Sequence, residues 1–466
     1  VDDEVEDVHE FKAKPGGDIF YRPVPSVTAG LTANTDFGDT EADLFQVNLT
    51  RFALFYPEKR AFFLQDATIF EFGGQNRNGR PFFSRRIGLV NGEEVPLLLG
   101  GKVTGRVGRA NFGLLETWTG SGQGVGDKSL GVERLYINVG RESYVGGIAT
   151  HGDPDSNEEN GLIGFDGTYR NSEWQGNKVI ESTGWFQRSF SEGEDGLQSA
   201  WGAEVSYPND IINWRLAYKE ISSDFSPALG FVNRADIRAY SGKFRHRIRP
   251  EWIRTVDSTV EVKFITDREN VARTAEVRVA PIQLQTPIGD RITAGYLYDY
   301  QQPAEAFEIY PGVEVPAGEY SENRFVWWLR ASSARKLSGS LFGQVGGFYG
   351  GNLVQVTPGV VYRPSPHLAL GAGYNGSFVD LPQASFDQHV GFVRFDLMFT
   401  VDLSWNTLVQ YDHETGEIGI DSRLRWIIVP GREFYVVVKQ ELQERDGSVH
   451  LNRSAPLIKL RWTFRF

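Results

Sequence analysis

The last stretch of the chain constrains the fold most. Ile458, Leu460, Trp462, Phe464 and Phe466 alternate with Lys459, Arg461, Thr463 and Arg465. Successive residues of a strand point to opposite faces, so one face is apolar and aromatic and the other cationic. The same two-residue period recurs upstream. Ile212, Trp214, Leu216 and Tyr218 alternate with Asn213, Arg215, Ala217 and Lys219, and Ile420, Leu424, Trp426 and Ile428 alternate with Asp421, Arg423 and Arg425. About 23 segments of this kind can be placed, each roughly ten residues long, and no amphipathic helix of comparable strength appears.

A wall whose faces meet two different solvents explains the pattern. The 466 residues contain no run of apolar residues long enough for a membrane-spanning helix. The mean hydropathy of -0.33 is unremarkable for a barrel, in which half of each strand faces water. The 18 Tyr and 11 Trp supply the rings that sit at membrane interfaces, and 52 Gly supply turns. We therefore expect an all-β, transmembrane, antiparallel up-and-down outer-membrane barrel. Single-chain bacterial barrels have even strand numbers, so about 24 strands are expected (range 22–26), with the extra one inside Phe11 to Pro25. Residues 1–10 are acidic and unpatterned and read as a tail, leaving 11–466 as a single barrel domain.

Connection lengths set the topology. Short turns fall at Val429–Arg432, Thr400–Asp402, Pro364–His367, Arg335–Ser338, Pro287–Asp290, Tyr207–Ile211 and Arg141–Ser143. Longer ones fall at Glu441–Pro456, Asp380–Gln388, Gln301–Asn323, Ser222–Asp236, Ser191–Gly196, Gly152–Asn160 and Gly120–Gly131. Short periplasmic turns and long outer loops are the rule for such barrels. Both termini are thus expected in the periplasm and the longer loops outside the cell. The chain begins at Val1 without an initiator Met, as removal of a leader would leave it.

Residues 53–94 break the rhythm. They carry Pro57, Glu58, Lys59, Arg60, Phe62 and Phe63, then Arg85 and Arg86 within Ser84–Gly88. So long and aromatic a stretch is not an idle loop. It reads as an inward-folding plug or constriction, since a barrel of this girth needs filling, the alternative being two more short strands with a surface loop. Arg60, Arg85 and Arg86 need counter-charges, and Glu41, Asp43 and Glu58 are the candidates.

At these residues the chain also resembles a family. Leu31–Phe37, Glu41, Gln46–Phe52, Pro57–Arg60, Phe62–Leu64 and Ser84–Gly88 come first. Leu229–Arg234, Gln410-Tyr411, Ser422–Trp426 and Pro430–Glu433 follow in order. Together they are similar to a family of bacterial outer-membrane barrels of unknown function, common in Bacteroidota and often preceded by a family-nine carbohydrate-binding-like module. The signature begins almost at the first residue, so no such module is expected within these residues and no sugar-binding role carries over. The resemblance implies a fold and a compartment and no settled activity.

The remaining chemistry is sparse. Without Cys there is no thiolate nucleophile, disulfide or Cys-ligated metal. The seven His lack metal-ligand spacing, though His389 and His413 fit adjacent strands. Asp153–Glu159 lacks the Gly and the distal Glu of a calcium loop and reads as a solvated acidic loop. Gly120–Gly124 lacks the Lys-Ser/Thr of a phosphate loop. No catalytic residue, cofactor or metal is expected, and the net charge of -12 argues against nucleic acid. Arg245, Arg247, Arg249, Arg423, Arg425, Lys459, Arg461 and Arg465 are expected to face the lumen. There they bias ion selectivity or pair with acids.

These features lead to a partly plugged pore or solute channel. The alternative is a closed scaffolding barrel anchoring periplasmic or surface partners, or a sheath around an electron-transfer protein. No energy-coupling box is apparent at the N-terminus. Other expected partners are outer-membrane lipid and the barrel-assembly machinery, the latter through Trp462, Phe464 and Phe466.

Overall fold

In a computed structural model, which describes residues 16–35, 38, 40–75, 77–90, 92–193, 196–445 and 447–465, the chain forms one sheet of 23 strands. Strands run in sequence order around the ring and pair antiparallel with their neighbours, from Gly17–Val24 and Val27–Thr35 through Leu97–Val107 to the last strand, Ser448–Arg465. The ends of the sheet meet where Gly17–Val24 pairs in parallel with the last strand, at Asp18–Thr463, Ile19–Phe464 and Phe20–Arg465. The result is a nearly closed up-and-down barrel, and among the described residues no helix is long and apolar enough to cross a membrane.

The strand expected within Phe11 to Pro25 is Gly17–Val24, yet the total is odd. In an up-and-down wall an odd number makes the first and last strands parallel. The expectation of both termini on one side rested on an even count. Here the first strand runs toward the short-turn rim, where the last strand ends. Residues 1–15, with the acidic tail, lie outside the described residues.

All seven short turns named from the sequence lie on one rim. The register shows why such turns close: Val429 pairs with Arg432 across Pro430-Gly431, and Gly431 has φ +90°. Proline presets the first turn position and glycine accepts the positive φ at the second. The other rim carries the longer connections, with one correction. Glu441–Pro456 is not a loop, because strands Arg432–Arg445 and Ser448–Arg465 continue almost to the tip and pair there, Arg445 with Ser448.

The alternation sorts side chains as the dyad requires. Phe165, Phe186 and Trp201 lie side by side in register across three strands, each exposed by more than two-fifths. Their alternates Leu162, Gln187 and Ala200 are buried. The main apolar cluster lies on this buried face. It joins Leu115, Leu130, Ile148, Leu162, Ile221 and Ile237 of the wall to Phe62, Phe63, Phe70, Phe72, Phe82 and Ile87 of the long connection. A second cluster packs the hairpin Phe307–Tyr310/Val313–Val315 onto the strand ends at Phe348, Leu353, Val379 and Phe386.

Candidate functional site

The connection from Val27–Thr35 to Leu97–Val107 is the candidate site, and it is longer than the 53–94 read from the sequence. Its regular elements are one helical turn at Ala61–Leu64, two 3-10 turns and a tiny hairpin at Leu89–Val90/Glu93–Glu94. It fastens to strands on widely separated arcs of the ring, always on the face opposite the exposed apolar rows. Phe45 N–H donates to Gln410 Oε1 at 2.9 Å, and Ala42 N–H donates to Asp421 Oδ2 at 2.7 Å. Lys102 Nζ donates to Phe62 O at 2.6 Å. Gln187 Nε2 donates to Gly79 O at 2.6 Å, and Lys219 Nζ donates to Asn78 O at 2.9 Å. The same connection is thus hydrogen-bonded to strands on both arcs by their buried face.

One charged knot holds its shape. Both oxygens of Glu58 are saturated: Oε1 accepts from Lys59 N, Arg60 N and Arg60 Nε, and Oε2 from Arg60 Nη2 and Ser84 Oγ, all at 2.7–3.0 Å. Arg60 spends its other donors on Ile87 O and Ser84 O, both at 2.6 Å. Pro57–Arg60 and Ser84–Gly88 are thereby locked together. Gly88 sits at φ +81°, which a side chain rarely adopts, and its carbonyl accepts from Val95 N–H. Burial alone would raise the Glu58 carboxyl, but its hydrogen bonds to Arg60 and the Arg60 charge outweigh burial and hold it below the usual range.

The other basic residues of the segment also find acids. Arg85 and Lys59 both pair with Asp43, Lys59 at 3.1 Å. Arg86 reaches Asp155 at 2.6 Å, in the acidic loop that the sequence leaves in solvent. Glu41 takes Arg394 at 2.7 Å and Arg423 at 4.0 Å from the wall. The connection 222–236 folds in over the segment, with Phe83 N–H bonded to Leu229 O and Arg80 bridging Phe231. Several stretches that carry the family resemblance, Ser84–Gly88, Leu229–Phe231, Gln410 and Arg423, thus meet at this one segment.

The deepest link is one the sequence does not single out. Arg134 and Asp166 form a two-pronged pair at 2.6 and 2.8 Å, with both side chains almost fully buried. Asp166 also accepts from Gly73 N–H at 2.9 Å, and Arg134 Nε donates to Glu71 O at 3.1 Å. The one available signal was a charge isolated between glycines, Gly164-Phe165-Asp166-Gly167, on the buried face of its strand.

The expected lumen cations separate into two groups. Arg245 and Arg247 share the buried face of strand Ile237–Ile248 with Ile237, while Arg249 lies beyond its end. Arg247 pairs with Asp257 at 2.6 Å, and Arg249 pairs with Asp210 at 2.5 Å in the adjoining turn. Hydrogen bonds from Arg249, then its charge and those of Arg247, hold Asp210 down at about 2. On the far arc, Arg423, Arg425, Lys459 and Arg461 join Lys59, Glu41, Asp18 and Glu433 around a cavity of about 260 Å³ beside the segment. Arg425 pairs with Glu433 at 2.8 Å, and Arg461 lies 3.4 Å from Asp18. Arg465 and Phe464 are placed by backbone register only, and Phe466 lies outside the described residues. Trp462 is exposed, with Arg432 3.8 Å above its ring.

His389 and His413 are neighbours, with ring centroids 5.3 Å apart, and Tyr374 Oη lies 2.7 Å from His389 Nδ1. Among the described residues no cluster of three or more His, Asp or Glu is placed to hold a metal ion.

Comparison with known proteins adds one finding. No curated protein and no solved structure matches the chain. Residues 2–98, which include the whole of the 36–96 connection just described, match the model of a domain of unknown function, DUF5916.

Proposed function

We propose that the protein is a bacterial outer-membrane barrel in which the 36–96 connection narrows the lumen, leaving the basic cavity beside it as the route for solutes. One observation carries this reading. A segment tied to separate arcs of the enclosed face leaves a charged cavity of about 260 Å³ between itself and the wall. The rows of exposed aromatic and aliphatic residues on the other face suit contact with lipid hydrocarbon. On this reading the longer connections face outward and the short turns face the periplasm, and the chain works by passage rather than catalysis. Its membership of the outer-membrane family it resembles is part of the same proposal.

Planar-bilayer conductance tests the reading. The full chain is expected to carry a measurable current, larger when residues 57–88 are removed. Silence from both proteins, each folded as shown by strand-rich circular dichroism, overturns passage and favours a closed scaffold.

A further inference from the structure

Four arginines near the long-connection rim lie over rings rather than beside acids. Among the described residues Arg51, Arg77, Arg80 and Arg234 make no ion pair with a carboxylate. Each lies instead over phenyl rings. Arg51 stands 5.0 Å from the centroid of Phe52 and 5.9 Å from Phe307, and Arg234 stands 5.2 Å from Phe52. Arg77 and Arg80 lie 5.8 and 6.0 Å from Phe55, and Arg80 lies 5.8 Å from Phe83. The rings brace one another, Phe55 lying 4.9 Å from Phe83 and 5.1 Å from Phe231.

The cluster is costly as it stands. Burial lowers the pKa of Arg51, Arg80 and Arg234. Arg234 falls to about 10, with the charges of Arg51 and Arg273 adding to the effect of burial. Arg51 Nη1 has no exposed surface and no partner, so neither solvent nor protein satisfies it. Stacking on a ring uses the face of a guanidinium and leaves its in-plane N–H groups for other partners; Arg234 Nη1 donates to Thr274 Oγ1 at 2.9 Å, and the remaining N–H groups of the cluster keep the geometry that grips an oxyanion at two points.

We propose that this phenyl-backed arginine cluster binds a solute bearing two or more oxyanion groups, carboxylate or phosphate, and so selects anions at the mouth of the barrel. Only the selecting step rests on the passage reading. Binding itself does not.

Isothermal titration calorimetry on the full chain folded in detergent, at low salt, tests it with citrate and with pyrophosphate as probes. Saturable binding of at least one probe is expected. It should weaken at least tenfold in Arg51→Gln/Arg234→Gln and several-fold in Arg51→Lys/Arg234→Lys, which keeps the charge and loses the fork. Heat-modifiable gel mobility confirms that both variants fold. Which probe binds tells carboxylate from phosphate. Absence of saturable heat with both probes, or wild-type affinity in either double variant, overturns the proposal. Binding without bilayer current leaves this site standing and removes the passage reading. Current without binding does the reverse.

Discussion

Glu58 accepts five hydrogen bonds on two oxygens, and its environment predicts a pH response. Its carboxyl is held below the usual range in the folded protein. Its stabilising contribution is therefore complete above the ordinary glutamate value of about 4.3 and is lost as pH falls through the lower folded value. Trypsin cleavage after Lys59 and Arg60 should begin only as pH in a pre-incubation drops below about 4, and Glu58→Gln should remove that step by freeing the segment at neutral pH. Asp166 makes a larger difference. Asp166→Ala strands the buried Arg134 charge and should destabilise the protein by about 3–5 kcal/mol in urea unfolding followed by tryptophan fluorescence. Arg141→Ala, which removes the exposed pair with Glu173, should change it by less than about 1 kcal/mol. At this scale the sequence named two of the partners, since Glu58 takes Arg60 and Asp43 takes Arg85. It did not name Asp155, which takes Arg86 from 69 residues away, because nothing local encodes such a pairing.

Among the elements, the strands and short turns were readable because one face of each strand is exposed and apolar while the other is packed or polar, which stamps a two-residue period on the sequence. Where that contrast between faces ends, the signal ends with it. Residues 443–445 and 448–451 are paired strand in the structure, yet Gln443, Glu444 and Arg445 are polar at successive positions, so no apolar/polar alternation marks the stretch and it reads as a loop. The segment's tether to the wall is similarly hidden, since it rests on single residues such as Lys102, Gln187 and Gln410 scattered over separate strands. Gln187→Leu together with Lys219→Met removes two of these links. That double change should leave the strand content of the circular dichroism spectrum intact while speeding proteolysis within residues 71–80 several-fold.

For the molecule as a whole, the total of 23 departs from the rule of even strand numbers, which raised to about 24 a pattern that placed about 23 segments. Periodicity counts strands but says nothing of which edge the first one offers to the last, and Gly17–Val24 alternates poorly and contains Pro23. The absence of Cys makes orientation easy to probe. A single Cys at Asn157, in a long connection, should react with a membrane-impermeant maleimide on intact cells. One at Asn209, in a short turn, should react only after lysis, and the opposite pattern overturns the proposed orientation. The way the ring closes has a mechanical consequence. Neighbouring hairpins are stitched by long ladders, such as the eleven paired positions from Arg238–Thr266 to Ile248–Val256, whereas the first and last strands share three. Under heat or load the cylinder should therefore unzip first along that junction, with amide protons of Ile19 and Phe464 exchanging ahead of the rest, so that the last bond to form in assembly is also the first to let go.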